Sequence, residues 1–342
     1  MTRFHTSPIV WMAVLAAAAG LSATTAAPAA AATTYTITDL GSLGLGVSYG
    51  YGINATGQAT GASFLSTTYT VPCTYPSPTK CVRHPHHAFL SSSGKMTDLG
   101  TLGGHNSQGN AINLAGQVAG WAETSTGARD AAVWTGKKSL DVGGLAPLAG
   151  SPSVAYGIND SGQAVGSWGT NPLHAFLYSH GTITSLPESS FTGCTARAIN
   201  NTGQIAGLCQ DTSGSGHLVL WQNGTVTDLG SIGNISNYGL AYVALALNNN
   251  GQIAAWTQAT PDGYLYSNGT ITDLGSFYPN SINDNGVMVG GPSIDSGGTV
   301  QNLNSLIPAN SGSQAGDATA INDNGQIVAI TPDDHTLLLN PS

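Results

Sequence analysis

Charge is scarce in this sequence, and positive charge most of all. Only 7% of the 342 residues are charged, with eight Lys and Arg against 17 Asp and Glu. Binding to a phosphate backbone needs basic side chains that displace counterions, so nucleic acid is not an expected partner. The 46 glycines together with so few charges argue against long helices. They favour many short strands joined by tight turns.

Motifs of the common hydrolases are also missing. The sequence has no Gly-x-Ser-x-Gly, no His-Glu-x-x-His and no complete Ser-x-Asp-x-Gly-x-Thr-Trp box of the sialidases. Glu123 and Glu188 are the only glutamates. A paired-carboxylate glycosidase would therefore have to combine one of them with an aspartate such as Asp211 or Asp262. No spacing favours such a pair, so we predict no catalytic residue, no cofactor and no metal ligand.

The first 32 residues have the pattern of a secretory signal peptide. Arg3 and His5 precede an apolar run from Ile9 to Ala23, and a tract of small residues ending AAPAAAATT follows. The run is shorter than the ~20 apolar residues of a membrane span, which favours a cleaved signal over an uncleaved anchor. We expect cleavage after Ala32 and release of residues 33–342 outside the cell. No later segment is long and apolar enough to span a bilayer.

One ten-residue phrase recurs along the rest of the chain. It reads GINDSGQAVG at residues 157–166, and in each copy an apolar residue and asparagine precede small polar residues and a short apolar run. A period in the forties indicates a repeat architecture, and Asn, Asp and Gly in this order predict a tight β-hairpin turn. We therefore interpret the repeated asparagines as structural. They are Asn54, Asn113, Asn159, Asn200, Asn248, Asn283 and Asn322, separated by 59, 46, 41, 48, 35 and 39 residues.

Two further signatures accompany the phrase. Variants of ITDLGSL, first seen at residue 37, and of HAFLYSHG, at residue 174, recur in the same order. Together with the apolar runs on either side of the phrase they make four short strands in roughly 44 residues, the size of one propeller blade. The sixth copy, around SIDSGG at residue 293, is degenerate. A β-solenoid is the competing architecture.

The ends of the chain favour the propeller. The chain after the signal opens with YTITDL, a strand of the Thr-Asp-Leu type, and closes with HTLLLN, of the His-Ala-Phe-Leu type. The last blade therefore lacks its fourth strand, which the N-terminal strand can supply, and this covers an edge that would invite aggregation. We predict an all-β fold: a β-propeller of seven four-stranded blades, closed by the N-terminal strand, as one domain over residues 33–342.

The three signatures taken together resemble those of the HAF family of extracellular repeat proteins. HAFLYSHG, TDLGTLGG and GINDSGQAVG carry the resemblance, which extends over residues 35–340. The resemblance implies secretion and a propeller-like fold. It supplies no catalytic residue that could be transferred to this chain.

The predicted geometry indicates where a ligand can bind. With the Ile-Asn strand innermost, as in WD-repeat propellers, the tight turns lie on one face and the long variable loops on the other. Trp121, Trp168 and Trp256 follow the second strand of their repeats, where a half-exposed indole can hold a ligand. Packing between blades is the alternative for these three. The remaining candidates on the same face are Tyr49, Tyr51, His105, Asn171, Tyr238 and Tyr242.

Repeated histidines and aspartates are expected to serve the scaffold. The histidines share one repeat position, which predicts hydrogen bonding at the start of a strand, and the aspartates are placed to close local turns. His84 and His86 could face one side of an extended segment, but no third metal ligand is evident. The histidines are His87, His174, His217 and His335, and the aspartates are Asp39, Asp98, Asp228 and Asp273.

The four cysteines are expected to form two disulfides in an oxidising compartment, Cys73 with Cys81 and Cys194 with Cys209. Four cysteines allow three pairings. If Asn200 faces Gly203 across its hairpin, residues whose numbers sum to 403 lie opposite each other, as Cys194 and Cys209 do. A bulge would shift this register by one residue and keep the two cysteines within reach.

Two functions from different classes fit these observations. The first is a secreted, monomeric binding module for a neutral polysaccharide or an extracellular protein surface, because charge is low and aromatic residues occur in the loops. The second is a secreted polysaccharide hydrolase or lyase with its site over the central channel. A cluster of charged residues outside the repeat pattern, at the mouth of the channel, would favour the enzyme.

Overall fold

The computed structural model describes residues 33–72, 80–234, 243–257 and 262–342. These residues form 30 β-strands and one short 3-10 helix, Leu303–Ser305. Twenty-eight strands make seven four-stranded antiparallel sheets, and two more pair as a separate hairpin. The fold is therefore a seven-bladed β-propeller, as predicted, and the strand that ends in Ile-Asn is first in each blade.

Four blades follow one another in the first part of the chain. From the inner to the outer strand, blade 1 contains β2 (Ser48–Ile53), β3 (Ala59–Phe64), β6 (His86–Ser92) and β7 (Lys95–Asp98). Blade 2 contains β8 (Gly103–Ile112), β9 (Gln117–Thr124), β10 (Arg129–Thr135) and β11 (Lys138–Asp141). Blade 3 contains β12 (Ser153–Ile158), β13 (Ala164–Gly169), β14 (Leu173–Ser179) and β15 (Thr182–Ser185). Blade 4 contains β16 (Gly193–Ile199), β17 (Ile205–Gln210), β18 (Ser215–Gln222) and β19 (Thr225–Asn234).

Three blades complete the ring. Blade 5 contains β20 (Val243–Leu247), β21 (Ile253–Thr257), β22 (Gly263–Ser267) and β23 (Thr270–Gly275). The degenerate sixth repeat is a full blade of short strands: β24 (Ser281–Ile282), β25 (Met288–Gly290), β26 (Ser293–Ser296) and β27 (Thr299–Asn302). Blade 7 contains β28 (Asp317–Ile321), β29 (Ile327–Ile330), β30 (Thr336–Pro341) and β1 (Tyr35–Asp39).

The N-terminal strand closes the ring as predicted. β1 pairs antiparallel with β30, from Tyr35 opposite Pro341 to Asp39 opposite Leu337. The backbone N–H of Ser342 donates to the carbonyl of Thr34 at 2.9 Å, which continues the pairing beyond the strands. Tyr35 is buried in the same apolar cluster as Leu337. Closure therefore combines a hydrogen-bonded ladder with buried apolar surface.

The repeated asparagines join neighbouring blades. In each repeat the side-chain Nδ2 of the asparagine donates to the backbone carbonyl of the asparagine in the next blade, at 2.9–3.2 Å. The seventh bond runs from Asn322 back to Asn54, so the circuit is closed. All seven asparagines are buried. The phrase is a turn, as predicted, and it is also the contact that links the blades around the channel.

Each asparagine also organises its own turn. In blade 4 the Oδ1 of Asn200 accepts hydrogen bonds from the backbone N–H groups of Thr202 and Gln204. The Nδ2 group donates to Gln204 Oε1 at 2.8 Å as well as to the carbonyl of Asn248 at 3.1 Å. One buried amide is thus fully hydrogen-bonded, which explains why asparagine and glutamine recur four residues apart.

The glycine near the end of the phrase is required by a close backbone approach. A Cβ on Gly61, Gly120, Gly166 or Gly207 would collide with a carbonyl of the neighbouring innermost strand. In each of these blades the innermost strand carries a β-bulge beside the contact. The bulge moves the innermost strand against its neighbour, and only glycine fits there.

Cys194 and Cys209 lie opposite each other on β16 and β17 and form the predicted disulfide. The register at the turn differs from the prediction by one residue, because Asn200 pairs with Gln204 instead of Gly203. A bulge at Arg197 restores the expected register before the cysteines are reached. The other predicted disulfide involves Cys73, which lies outside the described residues.

Removal of the closing strand tests its role. Deleting residues 33–42 leaves β30 as an exposed edge and uncovers the apolar cluster around Leu337. We expect a clear fall in Tm and a tendency to aggregate, measured by thermal unfolding and light scattering. An unchanged Tm would contradict closure by this strand.

The asparagine ring is tested by Asn200→Asp, which keeps the shape of the side chain and removes the Nδ2 donor. The buried carboxylate would face the carbonyl of Asn248 and Gln204 Oε1, so we expect a loss of about 1–3 kcal/mol in the free energy of unfolding. Denaturant unfolding measures the effect. Asn223→Asp is the matched control, because Asn223 is exposed in a turn of the same blade. Equal effects of both substitutions would contradict an inter-blade role.

Candidate functional site

The two faces of the propeller differ in what they offer a ligand. The asparagine turns surround the channel on one face, where they line a cavity of about 250 Å³. The amide groups of this ring are occupied by the bonds between blades. The opposite face carries the longer connections, including the only two-stranded hairpin among the described residues. This hairpin consists of β4 (Tyr69–Pro72) and β5 (Lys80–Arg83) and is inserted between β3 and β6.

The repeated histidines pair with carboxylates on the outermost strands. His87 Nδ1 donates to Asp98 at 2.8 Å, and His217 Nδ1 donates to Asp228 at 2.9 Å. His335 lies 3.4 Å from Asp39 across the closing strand. In blade 3 His174 bonds to Glu188 at 3.0 Å. These histidines link the third strand to the end of the fourth, as hydrogen-bonding residues of the scaffold.

The repeated aspartates close turns as predicted. The Oδ1 atoms of Asp39, Asp98, Asp228 and Asp273 each accept the backbone N–H of the glycine two residues later, at 2.7–2.9 Å. Partial burial raises the pKa of Asp98, but the hydrogen bonds from His87 and Gly100 outweigh it and hold the pKa below its usual value of 3.8. The Thr-Asp-Leu-Gly signature is therefore a capped turn, with a histidine partner in blades 1, 4 and 7.

Two of the carboxylates considered for acid–base catalysis, Glu123 and Asp211, accept several hydrogen bonds. Glu123 accepts from the backbone N–H groups of His105 and Asn106 and from the Asn106 amide. Bonds from the Ser213 hydroxyl and from the backbone of Ser215 and Ser213 lower the pKa of Asp211 to about 2. These surroundings do not suit a general acid.

The three predicted tryptophans lie inside strands, because the second strand of each blade continues past the predicted end. Trp121 is in β9, only 7% exposed, with the Arg129 guanidinium 4.0 Å from its ring centre. Trp168, in β13, is half-buried and packs beside His174. Trp256, in β21, donates through Nε1 to Asn280 at 3.0 Å. All three tryptophans pack against neighbouring side chains, and such packing is the alternative to ligand binding for these residues.

The other sequence candidates that the structure describes lie on the innermost strands or in the loops of the same side of the ring. Tyr49 and Tyr51 belong to innermost strand β2 instead of a loop. His105 lies exposed in β8, and Asn171 lies exposed between β13 and β14. Burial raises the pKa of Tyr51 to about 12, so its hydroxyl stays protonated. Tyr238 and Tyr242 lie outside the described residues.

An open cavity of about 620 Å³ lies between the β4–β5 hairpin and the rim of blades 7, 1 and 2. We call it the hairpin groove. Its apolar and aromatic wall includes Tyr49 and Phe64 from blade 1, Tyr69 and Val82 from the hairpin, and Leu45 from the preceding loop. Val82 is 64% exposed, which leaves this wall open to solvent.

The rings of the groove form two sets of contacts, one on each side. Tyr49 meets Phe64 edge to face at 6.4 Å between ring centres, and Phe64 lies 5.4 Å from His86. Across the groove Tyr69 stacks on His105 at 4.1 Å with the rings nearly parallel. The Asn106 amide, itself held by Glu123, donates to the Tyr69 hydroxyl at 3.2 Å. The rings are therefore fixed by blade 1 on one side and by the start of β8 on the other.

Polar groups of the groove are few and placed at its edge. Arg83, His84 and Asp334 line it beside the rings. Burial lowers the pKa of His86 despite the opposing charge of Glu123, so its imidazole is neutral at pH 7. Burial, the charge of Asp334 and a hydrogen bond to it raise the pKa of Tyr49. The groove can thus offer hydroxyl and imidazole donors next to apolar faces.

Phe64 and Tyr69 were missed by the sequence prediction, although Tyr49 was named. The available signal was the first repeat spacing of 59 residues, the longest of the six. The additional residues of this first repeat contain the β4–β5 hairpin. His84 Nδ1 lies 3.0 Å from the carbonyl of Thr67, within the same connection. Among the residues that the structure describes, no group of three or more His, Cys, Asp or Glu side chains is placed to hold a metal ion.

A second cavity of about 600 Å³ lies on blade 7, beside the His335–Asp39 pair. Ser311, Ser313 and Thr331 contribute to its lining, which is more polar than that of the hairpin groove. It has no aromatic wall.

Among the described residues no helix is long and apolar enough to cross a membrane.

No protein-family model matches the chain, and no curated protein matches it in sequence. A streptogramin B lyase structure matches with a TM-score of 0.52 and 13% identity, over 90% of this chain and 98% of that one. Virginiamycin B lyase from Staphylococcus aureus gives 0.52 and 14%, over 90% and 99%. YCF48 bound to a D1 peptide gives 0.50 and 11%, over 92% and 97%. At these identities the likeness shows the propeller fold alone.

The His87–Asp98 pair makes a pH-dependent contribution to stability. Because the folded pKa of Asp98 is depressed, its contribution is present above the unfolded value and is lost as the pH falls through the folded pKa. We expect Asp98→Asn to destabilise the protein by less than about 1 kcal/mol at pH 6, and the difference to vanish at a pH below the folded pKa of Asp98. Denaturant unfolding at both pH values measures this.

Asp273→Asn is the control for this pair. Asp273 accepts the same backbone hydrogen bond, but Asp262 stands at the position of the histidine in its blade. A difference of equal size and equal pH dependence in both variants would show that the histidine contributes nothing.

Proposed function

We propose that this protein is a secreted binding module that holds a polysaccharide chain in the hairpin groove. The observation that carries the proposal is the open aromatic wall of Tyr49, Phe64 and Tyr69 beneath a hairpin inserted into one blade. The repeats themselves are occupied with joining strands and blades. An insertion that departs from the repeat is the feature of the scaffold most available for a specific function.

The chemistry of the groove suits a sugar. A pyranose ring presents an apolar face of C–H groups, which packs on aromatic rings, and a rim of hydroxyls, which need hydrogen-bond partners. The rings of Tyr69 and Phe64 offer the aromatic surface for the C–H face. The Tyr69 hydroxyl, His84 and the Asp334 carboxylate offer hydrogen-bond partners for the hydroxyls. A volume of about 620 Å³ lies in the range of small-ligand sites and holds a few sugar units.

Binding is favoured over catalysis by the state of the acidic groups. Glu123 and Glu188 are engaged with Asn106 and His174, and Asp211 is held as the anion. Among the described residues of the groove, Asp334 is the only carboxylate. A paired-carboxylate mechanism needs two, one of them protonated. The enzyme over the channel remains the alternative function.

Secretion agrees with the disulfide between Cys194 and Cys209 and with the N-terminal segment. The disulfide is buried between two strands and persists in an oxidising compartment. The YCF48 structure contains a bound D1 peptide, so a similar ring can carry a polymer. We place a glycan, not a peptide, in this groove because its walls are rings with polar edges and not an open sheet edge.

The groove is tested by Tyr69→Ala. We expect this change to weaken binding to the oligosaccharides that score highest on a glycan array by at least tenfold, because a ring that carries one face of the site is removed. Isothermal titration measures it. Tyr278→Ala is the matched control, since Tyr278 is an exposed tyrosine of the same face on another blade. Thermal unfolding of both variants checks that each is folded.

Two results would contradict the proposal. Equal weakening by Tyr69→Ala and Tyr278→Ala would place the ligand away from the hairpin groove. Release of shortened or unsaturated sugars from a soluble polysaccharide, seen by mass spectrometry, would show an enzyme instead of a binding module. Trp121→Ala is a poor test of the site, because Trp121 is buried and its loss leaves a cavity.

A further inference from the structure

Positive charge is confined to one sector of the ring. Apart from Arg3 and Arg197, every Lys and Arg of the sequence lies between residues 80 and 138, in blades 1 and 2 and the hairpin. They are Lys80, Arg83, Lys95, Arg129, Lys137 and Lys138. The 204 residues that follow hold 13 of the 17 acidic residues and only Arg197 as a cation. Although the whole chain has a net negative charge, residues 80–138 have a net positive charge.

The hairpin groove lies in this positive sector. Arg83 lines the groove and is exposed at the end of β5, and Lys80 is exposed at the start of the same strand. Arg129 lies over Trp121, whose ring meets His86 at 5.8 Å. Of these three cations Arg83 lines the groove itself, whereas Lys80 lies on the same hairpin strand and Arg129 lies on the neighbouring blade 2.

Two acidic side chains of this sector, Glu123 and Asp98, are already hydrogen-bonded. Glu123 accepts three hydrogen bonds from His105 and Asn106, and Asp98 is paired with His87. Asp334 faces the Tyr49 hydroxyl. Arg83 and Lys80, both on β5, thus outnumber Asp334, the one carboxylate that lines the groove among the described residues.

From this charge distribution we infer that the polysaccharide is anionic, a chain of uronic acid units whose carboxylates lie against Arg83 and Lys80 while a ring face packs on Tyr69. This inference rests on the proposed function and names its ligand class. The low charge of the whole sequence predicts a neutral polysaccharide, but the charge around the site determines the ligand. The acidic blades 3–7 repel a polyanion, which directs it to blades 1 and 2.

The test compares one sugar chain with and without its charge. The probes are a hexamer of galacturonic acid and the same hexamer with its carboxyls methyl-esterified. We expect the acid to bind at least tenfold more tightly than the ester at low ionic strength. Raising the salt from about 20 to about 500 mM should remove most of that preference, because exposed charges are screened.

Paired substitutions locate the charge. Lys80→Gln with Arg83→Gln should weaken binding of the acid about tenfold and leave the ester unchanged. Lys95→Gln with Lys138→Gln is the matched control, because it removes two exposed cations of the same sector that follow tight turns on the opposite face. The control should change the affinity less than twofold. Equal weakening by both pairs would mean that only overall charge matters and would overturn the inference.

The outcomes separate this inference from the proposed function. Equal affinity for acid and ester, both lost in Tyr69→Ala, would keep the groove as a glycan site and overturn its anionic ligand. Binding of either hexamer that is unaffected by Tyr69→Ala would overturn both. A polyglutamate peptide that binds as tightly as the galacturonic acid hexamer would show that carboxylates alone are recognised, and would also overturn a sugar-specific site.

Discussion

A single buried amide, repeated seven times, holds this ring together. Each asparagine uses its oxygen to fix its own turn and its nitrogen to reach the carbonyl of the next asparagine. Because the donor and the acceptor belong to the same residue type, every blade donates one hydrogen bond to the next blade and accepts one from the blade before. The circuit of hydrogen bonds closes only when all seven asparagines are present. A buried amide left without its partner would be costly, so each blade depends on its neighbour in place. The faces, the channel and the position of the loops follow from that circuit.

Most other residues of the repeat serve the scaffold in a similar way. The histidine on the third strand binds the aspartate at the end of the fourth, and that aspartate accepts the backbone N–H of the glycine two residues later. A different glycine, at the end of the ten-residue phrase, makes room for the bulged innermost strand. The repeated asparagines, histidines and aspartates therefore already have hydrogen-bond partners within the scaffold. The hairpin groove differs because it is built where the pattern is interrupted, from one blade, one insertion and the rim of two neighbours.

The sequence predicted the architecture well because the information is local and repeated. Three signatures that together predict four strands, a repeat every forty or so residues and a spare strand near the N terminus are enough to derive seven closed blades. The Cys194–Cys209 pairing also follows from hairpin register, although the turn is one residue longer than expected and a bulge at Arg197 compensates. The groove could not be derived in this way. Tyr69 and Phe64 line one groove because of an insertion that has no counterpart in the other described repeats. Whether Trp121 is buried depends on how far the second strand extends beyond the turn, and packing between blades decides that length.

The pairing of β1 with β30 joins the two ends of a chain more than 300 residues apart. During synthesis the first strand to appear must wait for the last one, so no partly made chain can complete the ring. Blades 1 to 6 can assemble from local contacts, whereas the final step depends on closing a loop of almost the whole domain, which is slow compared with forming a hairpin. Pairing these two strands therefore carries the largest loop-closure cost of any strand contact in the ring. A chain that stops before β30 leaves β29 as an open edge, the kind of edge that another chain can pair with.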